Sequence, residues 1–318
     1  MGITKFPAGI SSQGVPVIGG SYYTTGTVFF VDSTTGSNGN SGTDKDHPFA
    51  TIDYAVGRCT ANKGDVIIVM PNHTETVTEA GGLDLDVAGI TVVGLGSAAV
   101  RPIINLTTAT TADIDVDAAN ITLRNVRIDM TGITAVAAGI DINASGFTLE
   151  DCDILMADST GVALVGAVLA PGLDNVTIRN NVFHGLGASG GAGTAAITTD
   201  ASASGCDFLT VEGNHFSGWY VTSCLNQTCA GEGWLIVNNH FENFSDTGAA
   251  PTCVTFGATG SDNHGTLAYN TFRCGTSGSF GTMLDGGIYG DLGCFENYGG
   301  TMTDDMSGIL CPIVVAVS

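Results

Sequence analysis

A stretch of the chain repeats itself without gaps, because Ile114–Ile128 aligns on Ile140–Ile154, 26 residues further along. A third copy, Leu83–Gly94, precedes the first at an offset of 31 residues. Within each copy apolar and polar residues alternate, which is the two-residue period of a β-strand. A repeat of variable length near 28 residues indicates a solenoid in which each repeat is one coil and the length differences fall in turns.

A second signature, Asn-x-Phe, recurs four times downstream and ends in a degenerate fifth copy. Its asparagines are Asn181, Asn214, Asn239, Asn270 and Asn297. In a stack of parallel strands, like residues of neighbouring coils lie about 4.8 Å apart. We therefore expect these asparagines to form a ladder at a turn, in which side-chain amides hydrogen-bond to one another along the axis.

Two other repeat architectures fit the sequence less well. Leucine-rich repeats require a Leu-x-x-Leu-x-Leu frame with a helical return, which this sequence lacks, and propeller blades require about 40 to 50 residues each. Only 13% of the residues are charged and 46 are glycine, a composition that favours short strands and tight turns over helices. The repeat therefore predicts an all-β, single-stranded parallel β-helix that forms one elongated domain.

We expect the first coil to be capped, because an exposed sheet edge can pair with the strands of other chains. The segment Pro48–Cys59 predicts a short capping helix, with Asp46 as its N-cap and Pro48 in its first turn. Phe49, Ile52 and Val56 would lie on its apolar face. The chain thus divides into residues 1–25, an extended N-terminal attachment arm; residues 26–63, the start of the β-helix with its capping helix; residues 64–300, the parallel β-helix; and residues 301–318, a C-terminal capping or oligomerisation strand.

The arm is apolar and too short to form a core of its own, so we expect it to lie on a partner. Its candidate attachment residues are Phe6, Pro7, Ile10, Val15, Pro16, Val17 and Ile18. At the other end, Ile309–Val317 is an apolar strand that would be adhesive if left open. It should either cap the last coil or join protomers.

Four segments occur in a set order: Val28–Asp32, Gly42–Val56, Gly64–Pro71 and Ile90–Gly96. This order resembles the start of pectate-lyase-like β-helix proteins. Together with the opening Met1–Ser12, it is similar to β-helix virion proteins of tailed phages. The resemblance implies a right-handed single-stranded parallel β-helix.

The same resemblance implies a phage virion structural protein, either a capsid decoration (cement) protein or a head fibre. Such a protein is made in the host cytoplasm, displayed on the virion surface as a homotrimer, and held through its arm by the major capsid protein or another virion protein. The alternative is a tail fibre or tailspike-like protein that binds or degrades polysaccharide, with a host glycan as its partner.

Charge and cysteine content limit the partners. The formal net charge is −22, from nine basic and 31 acidic residues, so we expect neither nucleic acid nor an anionic membrane surface as a partner. No apolar run reaches the about 20 residues of a membrane span. The nine cysteines lack metal-ligand spacing and suit buried side chains in a reducing compartment, although Cys224 and Cys229 are close enough in sequence to close a short disulfide loop.

The chain departs from the enzymes that it resembles. Pectate lyases of this fold use a basic residue with carboxylate-bound Ca²⁺, and β-helical polygalacturonases use clustered aspartates with a histidine and an Arg-x-Lys pair. Here Lys63 is the last lysine, Arg273 is the only arginine after Arg179, and no Arg-x-Lys occurs. We therefore predict no catalytic residues, with a polysaccharide lyase or glycoside hydrolase as the alternative.

Aspartates occupy equivalent positions in successive repeats. Asp84, Asp115 and Asp141 form one outward column, and Asp86, Asp117 and Asn143 form a second column two residues along. Crowded carboxylates raise one another's pKa or recruit a cation. Three outcomes compete: a solvated acidic face, a glycosidase acid pair, and a Ca²⁺ site formed by Asp84, Asp115, Asp117 and Asp141. No other cofactor is expected.

Two further pairs of polar side chains are candidate sites. Asp151 and Asp153 should lie on one face of a strand, two residues apart. His215 and His240 share the middle position of Asn-His-Phe and should stack on adjacent coils, but no carboxylate or third histidine is evident at matching spacing. The sequence therefore favours an ordinary outward histidine pair over a metal site.

Overall fold

The computed structural model describes residues 11–12, 15–16, 24–158, 162–187, 193–199, 205–244, 252–256, 263–274, 284–285, 291–301 and 309–310. Strands of successive coils pair in parallel to form three long sheets. The architecture is a parallel β-helix of the right-handed type, the hand expected for parallel crossover connections.

The strands alternate among the three sheets in chain order. Sheet 1 contains β3 (Val28–Val31), β4 (Val66–Val69), β7 (Thr91–Gly94), β10 (Thr122–Arg124), β13 (Thr148–Glu150), β16 (Thr177–Arg179), β19 (Thr210–Glu212), β22 (Gly231–Val237), β25 (Asn263–Ala268) and β28 (Asp291–Phe295). Sheet 2 contains β5 (Thr74–Thr76), β8 (Ile103–Asn105), β11 (Arg127–Asp129), β14 (Asp153–Leu155), β17 (Val182–His184), β20 (His215–Gly218), β23 (His240–Asn243), β26 (Thr271–Cys274), β29 (Tyr298–Thr301) and β30 (Ile309–Leu310). Sheet 3 contains β6 (Leu83–Asp84), β9 (Ile114–Val116), β12 (Ile140–Ile142), β15 (Val165–Leu169), β18 (Gly193–Thr199), β21 (Tyr220–Gln227), β24 (Thr252–Phe256) and β27 (Leu284–Asp285).

The strand register confirms the repeat read from the sequence. Ile114 pairs with Ile140 and Asp115 with Asp141, which is the offset of 26. Leu83 pairs with Ile114, which is the offset of 31. Because side chains alternate between the two faces of a strand, the isoleucines and valines of these strands enter the core while the aspartates face outward.

From β10 onward, each corner from sheet 1 to sheet 2 turns through one residue of positive φ, followed by a buried residue. The positive-φ residues are Asn125, Asp151, Asn180, Gly213, Asn238, Tyr269 and Glu296. From Asn181 onward the buried residue is asparagine, and the expected ladder is confirmed. Asn181 donates its side-chain amide and its backbone N–H to Oδ1 of Asn214, at 3.1 and 2.9 Å. The pattern continues through Asn297.

Phenylalanines of the same signature stack inside the coil. Phe183, Phe216, Phe241 and Phe272 are fully buried, and successive ring centroids are 4.9, 4.8 and 5.3 Å apart. This spacing is set by the strand pairing on which the side chains stand. Each aromatic contact adds about 0.5–1.5 kcal/mol beyond the burial of apolar area, so the stack stabilises the downstream coils.

A helix lies in the predicted segment but begins later than expected. The helix α1 spans Ile52–Val56, and Thr51, rather than Asp46, is its N-cap. Phe49 is still extended, because its backbone N–H donates to the carbonyl of Phe30 and its carbonyl accepts from Asp32. The helix contacts β3, β4 and β6, and its buried residues join the core.

The chain ends are described only in part. Ser11–Ser12 (β1) pairs antiparallel with Val15–Pro16 (β2); the other candidate attachment residues, Phe6, Pro7, Ile10, Val17 and Ile18, lie outside the described residues. Near the C-terminus, β30 pairs antiparallel with β29 of the same chain. In the described part of the chain, no helix is long and apolar enough to span a membrane.

The suggested disulfide between Cys224 and Cys229 does not form. Both cysteines are free and buried. Cys224 lies within β21, whose extended backbone continues to Gln227, and residues this far apart along a strand exceed the reach of a disulfide. Elsewhere, the Sγ atoms of Cys253, on β24 of sheet 3, and Cys274, on β26 of sheet 2, are 3.1 Å apart.

Candidate functional site

Two outward surfaces carry the chemistry of this β-helix. The first, here called the acidic patch, lies on sheet 3 and contains Asp84, Asp115, Asp117 and Asp141. Asp115 pairs in register with Asp84 on one side and Asp141 on the other, so the predicted column exists. It ends at the next coil, where Val168 pairs with Asp141.

The side-chain amide of Asn143, in the second column, connects the two columns. Asn143 Nδ2 donates to Oδ1 of Asp115 at 2.8 Å and to Oδ1 of Asp117 at 3.0 Å. The nearby Asp113 accepts from the backbone N–H of Gly81 at 2.7 Å. The structure therefore brings together all four residues predicted for a Ca²⁺ site.

The electrostatics of the acidic patch are those of crowded carboxylates. Burial, and then the charges of Asp117, Asp113, Asp141 and Asp84, raise the pKa of Asp115 to about 6. Burial also raises the pKa of Asp84, whose Oδ1 is buried without a hydrogen-bond partner among the described residues. A cation with oxygen ligands would relieve this repulsion, and so would a proton on Asp115.

The second surface, here called the sheet 2 band, crosses the outer face of sheet 2. It comprises Arg127, Asp153, His184, His215, His240, Glu242 and Arg273. In its first part, Asp153 accepts from Nε2 of His184 at 3.0 Å and from Nη2 of Arg127 at 2.6 Å. The hydrogen bond from His184, and then those from Arg127, hold the pKa of Asp153 at about 2.

Glu242 is the centre of the second part of the band. Its Oε1 lies 2.7 Å from Nη1 of Arg273 and 3.1 Å from Nε2 of His240. Its Oε2 lies 4.0 Å from Nε2 of His215 and 3.3 Å from Oγ of Ser217. Burial alone would raise the pKa of Glu242, but the hydrogen bonds from His240 and Arg273 outweigh burial and lower it.

The histidine pair itself is as predicted, but its surroundings are not. His215 pairs with His240 in register, with ring centroids 4.8 Å apart. Burial, and then the neighbouring His240, lower the pKa of His215. The statement that no carboxylate matches this pair was wrong: Glu242 stands two residues after His240 on the same strand face, which the two-residue period could have revealed.

The expectation that Asp151 and Asp153 share a strand face was also wrong. Asp151 has a φ of 56° and forms the corner before β14, so the two side chains leave different parts of the coil. Asp151 pairs with Arg124 of the preceding coil at 2.8 Å. The four arginines on the strands of sheets 1 and 2, Arg124, Arg127, Arg179 and Arg273, pair with carboxylates of neighbouring coils and do not form a basic patch.

Exposed aromatic rings lie beside the C-terminal end of the band. Tyr298 is 51% exposed and pairs with Thr271, the residue that also pairs with His240. Tyr269 and Phe295 stand at the neighbouring corner, with ring centroids 5.6 Å apart in an edge arrangement. The two tryptophans are buried and take no part in this surface.

Comparison with known proteins shows the fold and no closer relationship. No known family model and no curated protein matches the chain. A rhamnogalacturonan lyase structure is similar at 16% identity, with a TM-score of 0.50, over 80% of this chain and 75% of that chain. PfbA, a surface adhesin of Streptococcus pneumoniae, is similar at 14% identity, with a TM-score of 0.48, over 77% and 69%.

A GH136 lacto-N-biosidase from Eubacterium ramulus is similar at 12% identity, with a TM-score of 0.49, over 86% of this chain and 68% of that chain. The likeness to the rhamnogalacturonan lyase shows the fold alone, which is that of a parallel β-helix. The resemblance to phage virion proteins has no support from these comparisons and stays a prediction.

Proposed function

We propose that this protein binds a polysaccharide along the outer face of sheet 2. The observation that carries the proposal is the sheet 2 band, a row of fixed hydrogen-bond donors and acceptors that ends beside exposed aromatic rings. A sugar ring offers hydroxyl groups that both donate and accept, and a C–H face that packs on aromatic rings. The band and Tyr298 together supply partners for both.

The polar groups of the band are held in place before any ligand arrives. Asp153 and Glu242 each accept hydrogen bonds from two cationic or imidazole groups, and such charge-assisted bonds are short and directional. A surface fixed in this way loses little conformational entropy on binding. Its repeat of about 4.8 Å per coil is close to the length of one sugar residue in an extended glycan.

Tyr269 supports the same conclusion. It has a φ of 58° at a corner where five preceding coils have Asn, Asp or Gly, which adopt this conformation more easily than a bulky residue does. A non-glycine residue in the left-handed region costs about 1–3 kcal/mol and is often associated with function. The strain at Tyr269 exposes an aromatic ring beside the band.

A polysaccharide ligand agrees with the existence of a rhamnogalacturonan lyase of this fold. Polysaccharide binding would favour the role of a tail fibre, a tailspike-like protein or an adhesin over that of a cement protein, which needs no such ligand. Attachment of residues 1–25 to a major capsid protein or another virion protein, assembly as a homotrimer, and display on a virion surface stay predictions that a polysaccharide ligand would not exclude.

Affinity electrophoresis through gels containing neutral or uronate-rich polysaccharides, rhamnogalacturonan among them, tests the proposal. We expect retardation by at least one polysaccharide and about tenfold weaker binding, or about 1.4 kcal/mol, in Tyr298→Ala and in Tyr269→Ala. Phe208→Ala is the matched control, because Phe208 is equally exposed and has a φ of 56° but stands at another corner. Equal losses in all three variants would contradict the proposal.

The acidic patch favours a second candidate function, glycoside hydrolysis. Asp115 has a pKa of about 6, which suits a proton donor near neutral pH. Asp141 stands one coil away, and a separation of about 5–5.5 Å between carboxyl groups is typical of retaining glycosidases. Release of reducing ends from a bound polysaccharide, abolished in Asp115→Asn and retained in Tyr298→Ala at saturating ligand, would establish this activity.

A further inference from the structure

A cluster of nitrogen and oxygen ligand atoms lies on the outer face of sheet 2. His215 on β20 and His240 on β23 are register partners, and Ser217 and Glu242 are the next outward pair. One nitrogen from each histidine and one carboxylate oxygen of Glu242 all lie within 4.8 Å of one another. Three side chains from two neighbouring strands therefore converge on one point.

The distances fit a small metal ion. Zinc binds histidine nitrogen and carboxylate oxygen at about 2.0–2.2 Å, so adjacent ligands of a tetrahedral site are about 3.3 Å apart. Nε2 of His240 is 3.1 Å from Oε1 of Glu242, and Nε2 of His215 is 4.0 Å from Oε2. Modest rotations of these partly exposed side chains would bring all three atoms to bonding distance.

Glu242 is oriented by a neighbour that would remain in place. Nη1 of Arg273 lies 2.7 Å from Oε1, so Oε2 remains directed towards His215 and Ser217. Partners of this kind around a metal fix the direction of a ligating carboxylate and strengthen binding. Two imidazoles and one carboxylate also select against Ca²⁺ and Mg²⁺, which require oxygen ligands.

We propose that His215, His240 and Glu242 bind a divalent transition-metal ion of the zinc class. The three ligands leave a coordination position open towards solvent, where a water molecule or an oxygen atom of a ligand would bind. The site differs from the acidic patch in sheet, in ligand type and in the ion it selects. It does not depend on polysaccharide binding, because the ligand atoms all belong to the chain itself.

Isothermal titration of untagged, reduced protein with ZnCl₂ near neutral pH tests this site. We expect micromolar binding at one site, weakened at least about tenfold in His215→Ala and in His240→Ala. His47→Ala is the control, because His47 is an exposed histidine paired with Asp44 far from the cluster, and it should bind as the wild type does. Circular dichroism of each variant verifies folding.

Cobalt gives an independent readout of the ligand type. Substitution with Co²⁺ should give weak visible bands typical of nitrogen and oxygen ligands, without the strong charge-transfer band of thiolates. The histidine variants should lose these bands. Absence of zinc binding, or binding that survives both histidine substitutions and shows a thiolate band, would overturn the proposal and attribute the metal to the cysteines.

Discussion

The side-chain oxygen of Asn239 accepts two hydrogen bonds from Asn214, one from its backbone N–H at 2.9 Å and one from its side-chain amide at 3.1 Å. The amide of Asn239 in turn donates to the carbonyl of Val211 at 2.8 Å. Both asparagines are almost completely buried. The ladder therefore satisfies backbone groups at the corners that the parallel sheets leave unpaired.

Asn239→Ala should destabilise the protein by about 3 kcal/mol. The substitution leaves the buried N–H of Asn214 without a partner, a loss that costs about 1–3 kcal/mol. It also removes the amide hydrogen bonds to the carbonyl of Val211 and to Asn270, each worth about 0.5–1.5 kcal/mol. Asn226→Ala is the control, because the amide of Asn226 donates to Thr198 in a partly exposed position, and we expect a loss below about 1 kcal/mol. Urea unfolding measures both, and equal losses would contradict a special role for the ladder.

Asp115→Asn should stabilise the protein at neutral pH. The pKa of Asp115 is about 6 in the folded protein against an ordinary 3.8, so folding favours the protonated form. Ionisation therefore opposes folding increasingly as the pH rises from about 4 to about 6, and by a constant amount above that. The variant should melt at a higher temperature than the wild type above about pH 6, with the difference vanishing below about pH 4.

Glu232→Gln provides the control for this prediction, because Glu232 is an exposed carboxylate on β22 of sheet 1, outside the acidic patch. The opposite result would be a wild-type protein more stable than Asp115→Asn at neutral pH without divalent ions. It would contradict the prediction, because it would show that the ionised carboxylate of Asp115 stabilises the folded protein.

Asp153→Asn should have the opposite effect. The pKa of Asp153 is about 2, below the ordinary 3.8, so folding favours the ionised form. This stabilisation is complete above about pH 4 and is lost as the pH falls through about 2. The variant should melt at a lower temperature than the wild type at neutral pH, and the two curves should converge near pH 2. Asp46→Asn serves as the surface control, because Asp46 is exposed and lies far from the sheet 2 band in an ion pair with Lys45.

Calcium should raise the melting temperature if the acidic patch binds it. A ligand of the native state at a hundredfold excess over its dissociation constant adds about 2.7 kcal/mol. The effect should disappear in Asp115→Asn and Asp141→Asn and persist in Asp153→Asn, which lies on another sheet. Identical melting in Ca²⁺ and in chelator would leave the patch as a solvated acidic face.

Deletion of residues 2–20 should leave a soluble, folded β-helix. The repeat begins after this segment, and β3 starts at Val28, so the coils do not require the deleted residues for their pairing. Far-ultraviolet circular dichroism and thermal melting should match the full chain, while attachment to a particle should be lost. A truncated protein that still joins particles would transfer the attachment role to the C-terminal strand.

The sequence determined the coil architecture because the pairing in a β-helix is nearly one-dimensional. Each residue lies next to its equivalent one repeat away, so aligning Ile114 with Ile140 in the sequence also identifies neighbours in space. For the same reason the aspartate column and the asparagine ladder followed from residue spacing alone. The start of α1 did not, because the backbone of Phe49 is held by β3 through hydrogen bonds between segments distant in sequence.

Only part of the sheet 2 band followed from residue spacing. Arg127 pairs in register with Asp153 at the same offset of 26 as the repeat. His184 pairs with Leu155 and reaches Asp153 diagonally, a contact that a repeat offset does not encode. The pKa of Asp115 likewise depends on burial and on the packing of charges from several coils. Spacing in the sequence fixes which residues are neighbours along the axis, whereas side-chain direction, burial and charge pairing across corners arise only when the coils are stacked.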